Sequence, residues 1–128
     1  MNFNRVEIAG RLVADPELRH TRSGNPYLLF RIAYNEYYLK GGEWKSRAHF
    51  FNGICWINPE RKVTTLSKGD RVFVEGQLEQ YSYKDREGKE RTAVRIKAFR
   101  IFKLDKTLEG AQNPPVEVNE EIEEIFDE

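Results

Sequence analysis

The sequence predicts a small all-β domain, and two observations support this. From about residue 5 to residue 104, apolar and polar positions alternate with the two-residue period of half-buried strands. Clusters of Gly, Pro, Asn and Asp separate these runs, as turns do between antiparallel strands. With 128 residues, the chain has room for one domain with a single core.

Three strands are predicted in the first half of the chain. The segment "RVEIAGRL" forms the first strand, and the turn chemistry of "ADPE" and "RSGNP" separates it from the second, "PYLLFRIAYNEYY". Gly41 and Gly42 predict a hairpin reversal before a third strand at residues 47–57. The inward positions of the first two strands are expected to be Val6, Ile8, Gly10, Leu12, Leu28, Phe30 and Ile32.

A short helix is predicted over residues 59–67, because Asn58 suits an N-cap, Pro59 a first helical position and Gly69 a stop. The fourth strand, "DRVFVEGQLEQYSY", leads through the loop "KDREGKE" to a last strand, "RTAVRIKAFRIF". Five strands with one short helix between the third and fourth predict an OB-fold, a five-stranded Greek-key barrel. Another small barrel or a sandwich is the alternative architecture.

Charge divides the chain into two regions. Residues 107–128 contain eight acidic residues and no Lys or Arg, whereas residues 1–106 contain 21 basic and 13 acidic residues, a net charge of +8. We therefore expect a folded domain over residues 1–106 and a disordered acidic tail over residues 107–128. A basic body joined to an acidic tail favours a polyanion-binding domain that carries its own competitor, although a solubilising tail explains the charge equally simply.

The sequence gives no residue-level case for catalysis. Its only histidines are His20 and His49, and its only cysteine is Cys55. His49 and Cys55 are six residues apart in one strand, about 20 Å at the usual rise, so they cannot act as a nucleophile pair. The chain also lacks the paired Cys and His spacings of zinc sites and a glycine-rich phosphate loop before a helix. We expect no enzymatic activity, no metal, no cofactor and no small-molecule substrate.

Localisation signals are absent as well. No apolar run approaches the roughly 20 residues that span a bilayer, and Glu7 interrupts any signal-peptide pattern at the N-terminus. A single cysteine excludes an internal disulfide and fits a reducing compartment. A cytoplasmic protein without membrane association is the expectation.

The third strand, "AHFFNGICWINP", has large apolar groups on both faces. Phe50, Asn52, Ile54 and Trp56 share one side, and Phe51 shares the other with Gly53, Cys55 and Ile57. Val, Ile and Leu are numerous enough to fill a small barrel, so the side with Phe50 and Trp56 is expected to meet nucleobases or a sister subunit. We assign these two rings to nucleobases. Tyr34 and Phe51 are assigned to the core or a subunit interface, and the sequence leaves Phe51 undecided between these.

Cations accompany these rings. Arg91, Arg95 and Lys97 share one face of the last strand, and Lys84 and Arg86 extend the positive charge into the preceding loop. Rings on a cationic surface form a platform on which unpaired bases stack, each stack contributing roughly 1–3 kcal/mol. A solubilising surface that discourages edge-to-edge pairing is the alternative.

The chain resembles the bacterial-type single-stranded DNA-binding proteins. "NRVEIAGRLVADPELR" followed by "SGNP" is similar to the opening of that family, "LSKGDRVFVEGQL" to its fourth-strand segment and "DREGKER" to its following hairpin. The resemblance covers about residues 3–104. It implies an OB-fold, a homotetramer wrapped by DNA and no enzymatic activity.

The resemblance also implies four ring positions that stack on bases, which match Tyr38, Phe50, Trp56 and Tyr83. The family more often has Trp at several of them. The expected single-stranded DNA site is then Tyr38, Phe50, Trp56, Tyr83 and Trp44 with Arg5, Arg11, Lys84, Arg86, Arg91, Arg95 and Lys97.

The end of the tail, "NEEIEEIFDE", mixes acids with Ile122, Ile125 and Phe126, a composition suited to docking in a basic-rimmed apolar pocket. Tails of the resembled family recruit replication and repair partners through a terminal Ile/Leu-Pro-Phe sequence. This tail lacks that proline and continues past Phe126 with Asp127 and Glu128. A passive tail is the alternative.

The predicted function is therefore the coating and protection of single-stranded DNA, with little sequence preference, in replication, repair and recombination. Two other functions remain open on the sequence alone. One is an OB-type replication accessory whose aromatic face binds a protein, and the other is an RNA-binding barrel.

Overall fold

A computed structural model describes residues 1–58 and 65–104, and six strands make up most of them. The strands are β1 (Val6–Leu12), β2 (Glu17–His20), β3 (Pro26–Lys40), β4 (Glu43–Trp56), β5 (Arg71–Lys84) and β6 (Glu90–Lys103). The predicted helix over residues 59–67 falls mostly outside the described residues, and residues 65–67, which are described, have no helical structure.

Five of the strands close into a barrel. The strand order is β1-β5-β6-β4-β3-β2, and an additional β1–β3 pairing completes the circle. All pairings are antiparallel except that of β4 with β6, which is parallel. This connectivity is that of an OB-fold, so the predicted fold class is confirmed.

The sequence analysis missed β2, a four-residue edge strand paired with β3 from Glu17↔Leu29 to His20↔Pro26. It predicted turn chemistry between the first two long strands. All four β2 side chains are exposed, so the segment has no buried face and produces no alternating apolar pattern.

The barrel interior contains small and medium apolar side chains. The core cluster is Leu12, Phe30, Ile32, Val72, Val74, Ile96 and Ala98. The predicted inward positions Leu12, Phe30 and Ile32 are therefore confirmed. Ile54 is also buried, but the strand register places it on the opposite face of β4, between Leu29 on β3 and Lys97 on β6.

Gly10 allows the barrel to close. A Cβ atom at this position would collide with the backbone carbonyl oxygen of Ala33 on β3. Backbone hydrogen bonds complete the closure, from Leu12 N to Asp70 O at 2.9 Å and from Val13 N to Arg31 O at 3.0 Å.

Two hairpins, β3–β4 and β5–β6, extend past the barrel. The predicted reversal at Gly41 and Gly42 is a two-residue loop, with φ angles of 59° and 79°. Positive φ at both positions is typical of the type I′ turn, whose twist matches that of the strands. In β5–β6, a register shift between Glu75 and Gly76 marks the bulge expected where a barrel strand bends.

Candidate nucleic-acid interface

Most of the exposed aromatic side chains of the described residues lie on β3, β4, β5 and β6. Cross-strand register places Tyr27 beside Trp56 and Lys97 beside Ile54, so the outward residues of adjacent strands form one continuous surface. We call this surface the ring face and define it by Tyr27, Arg31, Phe50, Trp56, Tyr81, Tyr83 and Arg95.

One half of the ring face is built on the β3–β4 pair. Trp56 is 46% exposed, and its ring lies 5.0 Å from that of Tyr27, centroid to centroid, at an interplanar angle of 47°. Phe50 is 51% exposed, and the guanidinium carbon of Arg31 lies 5.2 Å from its ring centroid. Both outward rings predicted for this strand are therefore open to solvent.

The other half is built on β5 and β6. Tyr83 is 46% exposed and lies 5.9 Å from Tyr81 between ring centroids. The guanidinium carbon of Arg95 lies 4.3 Å from the centre of the Tyr81 ring, within the range of a cation–π contact. Arg95 is held there by a 2.7 Å ion pair from its Nε to Glu79 Oε1.

A cleft of about 320 Å³ joins the two halves. Arg31 and Asn52 line it from the β3–β4 side, and Tyr81 and Arg95 line it from the β5–β6 side. Because Arg31 lines the cleft on one side and Tyr81 and Arg95 line it on the other, the two halves of the ring face meet in a groove. The lining of this groove also includes the carboxylates of Asp15 and Glu17.

Some of the predicted cations already have carboxylate partners. Arg5 Nε lies 2.7 Å from Glu7 Oε1, and Arg91 Nε lies 3.0 Å from Asp85 Oδ2. The hydrogen bond from Arg91, together with backbone donors at Lys89 and Glu87, lowers the pKa of Asp85, so this carboxylate remains charged at neutral pH. Exposed ion pairs of this kind are weak, so the carboxylates do not prevent these arginines from contacting another anion.

Three of the other predicted cations have no carboxylate partner among the described residues. Within residues 1–58 and 65–104, Lys84, Arg86 and Lys97 form no ion pair. Arg11 lies on β1 and donates from Nη1 to the carbonyl oxygen of Gly69 at 2.9 Å.

The structure separates Tyr38 and Trp44 from the ring face. Both lie toward the tip of the β3–β4 hairpin, where Tyr38 pairs with Lys45 and Trp44 with Leu39. Register places Tyr38 on the opposite face of β3–β4 from Phe50, with Arg47 5.0 Å from its ring centroid. Trp44 shares the face of Phe50 but lies six residues away, about 20 Å along the strand.

Phe51, which the sequence left undecided, has inward register opposite Ile32 but lies at an open end of the barrel. Its ring stacks on that of His49, with centroids 6.4 Å apart and planes at 13°. Phe51 also lines a cavity of about 110 Å³ with Leu78 and Val94.

Sequence reasoning missed Tyr27, Tyr81 and Arg31 as members of this surface. Alternation along "PYLLFRIAY" groups Tyr27 with Arg31 on the outward side, and alternation along β5 groups Tyr81 with Tyr83. Alternation along a single strand does not reveal the cross-strand register. That register places Tyr27 beside Trp56 and Arg95 beside Tyr81.

No three His, Cys, Asp or Glu side chains of the described residues come together in a way that could hold a metal ion. In the same part of the chain, no helix is long and apolar enough to cross a membrane. Burial raises the pKa of the Cys55 thiol, which disfavours the reactive thiolate form.

Comparisons of this chain with known protein families, relatives and solved structures support the barrel fold described above. The model of the single-strand binding protein family matches residues 3–103 of this chain. The chain belongs to the single-strand binding protein family. The resemblance noted from its sequence motifs is thereby confirmed.

Two relatives of the family illustrate the range of lengths. A single-stranded DNA-binding protein of Aquifex aeolicus is 36% identical over 132 residues, covering 96% of this chain and 88% of the relative. One from Deinococcus radiodurans is 31% identical over 103 residues, covering 80% of this chain and 34% of the relative. The chain thus matches about a third of the Deinococcus protein.

A solved structure of a Plasmodium falciparum SSB complex with ssDNA has the same fold. It superposes with a TM-score of 0.68 at 20% sequence identity, covering 82% of this chain and 97% of the other.

The outward placement of Trp56 generates a stability prediction. Trp56→Ala should lower the free energy of unfolding by only about 1 kcal/mol, since a half-exposed ring loses mainly its contact with Tyr27. Ile32→Ala is the matched control, because Ile32 is fully buried and its truncation should cost about 2–5 kcal/mol. Urea denaturation measures both. Equal losses in the two variants would mean that Trp56 is a core residue.

Proposed function

We propose that this protein coats single-stranded DNA with little sequence preference. The observation that carries the proposal is the ring face, in which half-exposed Trp56, Phe50 and Tyr83 lie on the same surface as a cleft lined by Arg31, Tyr81 and Arg95. A monomeric fold gains little from leaving large rings in water, whereas unpaired bases stack on such rings. The family membership and the relatives' names support the same conclusion.

Two interactions contribute to the binding free energy. Stacking contributes roughly 1–3 kcal/mol per base and selects unpaired strands, because duplex DNA hides the faces of its bases. Arg and Lys side chains neutralise phosphates and release counterions, which makes affinity depend on salt but not on sequence. Neither term requires a reaction, so the protein acts as a coat and not as an enzyme. We place this activity in the cytoplasm, in DNA replication, repair and recombination.

Intrinsic fluorescence provides the test of this proposal. Poly(dT) should quench the emission of Trp56, and log affinity should fall linearly with log salt, with a slope near −0.7 per phosphate contacted. Titrations at several salt concentrations measure both quantities, with a duplex of equal length as the control. Equal affinity for duplex, or affinity that ignores salt, would refute the proposal. Stronger binding to oligo(U) than to oligo(dT) would indicate an RNA-binding barrel instead.

Tyr83 allows a matched pair of variants. Tyr83→Ala removes an exposed ring and should weaken oligo(dT) binding by about 1–3 kcal/mol. Tyr83→Phe keeps the ring and should bind within about 0.5 kcal/mol of the native protein. Fluorescence titration distinguishes the two. If both variants lose affinity equally, the hydroxyl group matters rather than stacking.

We further propose that the acidic tail, residues 107–128, competes with DNA for the basic domain of residues 1–106. The tail lies outside the described residues, and the support for this proposal is its charge of −8 against +8 for the domain. Ile122, Ile125 and Phe126 would give the same tail a way to dock replication and repair proteins, with acids flanking an apolar contact.

Cutting the chain after Asp105 should tighten oligo(dT) binding at low salt, because eight competing negative charges are removed. The difference should disappear at high salt, where the Debye length falls to about 3 Å. A full-length control with Gln at Glu120, Glu121, Glu123 and Glu124 separates charge from tail length. Unchanged affinity in both variants at low salt would exclude the competitor role.

We also propose a homotetramer, which the family resemblance implies. The described residues support this proposal, because part of their surface is available for contact with another copy of the chain. From Val6 to Gly10, β1 pairs with β5 on one side only, and Phe99 and Phe102 are exposed on β6. An open strand edge and exposed rings favour contact with another copy. Light scattering of the full chain tests this, and a monomeric mass would refute it.

A further inference from the structure

The cleft that joins the two halves of the ring face lies between two exposed rings of β4. Phe50 and Trp56 share the outward face of this strand and are six residues apart, about 20 Å along it. Asn52 lies between them and is the cross-strand partner of Arg31 on β3, and both residues line the cleft. A nucleotide strand that stacks on both rings therefore crosses the cleft.

The lining of the cleft carries both signs of charge. Asp15 and Glu17 contribute carboxylates, and Arg31 and Arg95 contribute guanidinium groups. Carboxylates repel a phosphodiester, but they accept hydrogen bonds from the N–H groups of an uncharged base. The remaining lining is partly apolar, and its volume of about 320 Å³ has room for one base. The cleft therefore suits a nucleobase better than a phosphate.

The guanidinium side of the cleft has donors to spare. Within residues 1–58 and 65–104, the side chains of Arg31 and Asn52 form no hydrogen bond, and Arg31 contacts only the Phe50 ring. Arg95 donates from Nε to Glu79, so its Nη groups remain available. These donors point to a ligand with hydrogen-bond acceptors.

The carboxylate side is anchored and still has acceptors available. The backbone N–H of Lys68 donates to Asp15 Oδ1 at 2.7 Å, and Arg19 Nη2 lies 2.8 Å from Glu17 Oε2. Among the described residues, no hydrogen bond reaches Asp15 Oδ2 or Glu17 Oε1. Each carboxylate therefore keeps one oxygen that can accept from a ligand.

Guanine matches both sides of the cleft better than the other bases do. Its N7 and O6 atoms are neighbouring acceptors, and arginine contacts both with its paired donors. Its Watson–Crick edge has two neighbouring donors, N1–H and the 2-amino group, which suit a carboxylate. Cytosine and adenine have one amino group each. Thymine has a single N–H between two carbonyl oxygens, so its acceptors face the carboxylates.

We propose that this cleft binds one guanine base of the DNA strand. Arg31 and Asn52 donate to its N7 and O6 atoms, and Asp15 or Glu17 accepts from its N1–H and 2-amino groups. The other nucleotides of the strand stay unselected, so the overall sequence preference remains small. This inference rests on the proposed function, because it names a base-selective position within the same site.

The first experiment varies the DNA. A short oligo(dT) that spans Phe50 and Trp56 carries dG, dA, dC or dT at its centre, and each competes against a labelled oligo(dT). Central dG should bind about fivefold more tightly than dT, the lower end of what one base contact contributes. Deoxyinosine lacks the 2-amino group and 7-deaza-dG lacks N7, so each should lose part of that gain.

The second experiment varies the protein. Asp15→Asn keeps the oxygen that accepts from Lys68 and removes the charge. It should bring the ratio of dG to dT affinity close to one without weakening oligo(dT) binding, because the lost carboxylate no longer repels phosphates. Arg31→Lys keeps the positive charge but has no planar pair of donors, so it should lower the same ratio.

Glu87→Gln is the matched control for the charge. Glu87 lies in the turn between β5 and β6 and does not line the cleft, so this variant removes one negative charge elsewhere on the domain. Its ratio of dG to dT affinity should equal that of the native protein. A native ratio in both Asp15→Asn and Arg31→Lys would overturn the inference.

The remaining outcomes separate the two proposals. If the native protein fails to bind oligo(dT), the proposed function itself fails. If it binds oligo(dT) but central dG gives no gain over dT, or dA or dC binds more tightly than dG, only the guanine assignment is overturned. If Asp15→Asn tightens binding of all four oligonucleotides by the same factor, the carboxylate acts through charge alone, which also overturns that assignment.

Discussion

Closure of the barrel is the constraint on which the rest of this structure depends. The β1–β3 contact at Gly10 brings five strands around a core of small and medium apolar side chains. In that interior Phe30 is the only buried aromatic ring among the described residues. Because strand side chains alternate, every ring at an outward position is fixed in direction by the same closure. The ring face is therefore set by the geometry of the barrel rather than by flexible loops.

The same constraint explains how far the sequence could predict the molecule. Period-two alternation located the long strands, and the Gly41–Gly42 turn fixed one hairpin. Alternation also placed Phe50 and Trp56 outward correctly. Alternation did not predict β2, because all four side chains of this strand are exposed and form no alternating apolar pattern. Secondary-structure periodicity reports burial, so a strand without a buried face is not visible to it.

The composition of the site was harder to predict than its position. Which rings meet depends on strand register, and register is a pairwise property that one strand's sequence does not contain. Tyr27 beside Trp56 and Arg95 over Tyr81 both follow from register. So does the separation of Tyr38 from Phe50 on opposite faces of β3–β4. The row of cations on β6 was correctly located, but its pairing with Glu79 and Asp85 depends on residues from the neighbouring strand and loop.

In those ion pairs, carboxylates of the protein itself act as counterions to the surface arginines. If DNA binds as proposed, a phosphate that approaches Arg95 would exchange with the Glu79 carboxylate rather than displace only dissolved ions. Such an exchange returns fewer small ions to bulk solution than the number of arginines would suggest. The displaced carboxylate would remain close to Arg95 and could pair with it again when the DNA strand dissociates. Under the proposed function, a DNA strand would then dissociate without leaving Arg91 and Arg95 unpaired.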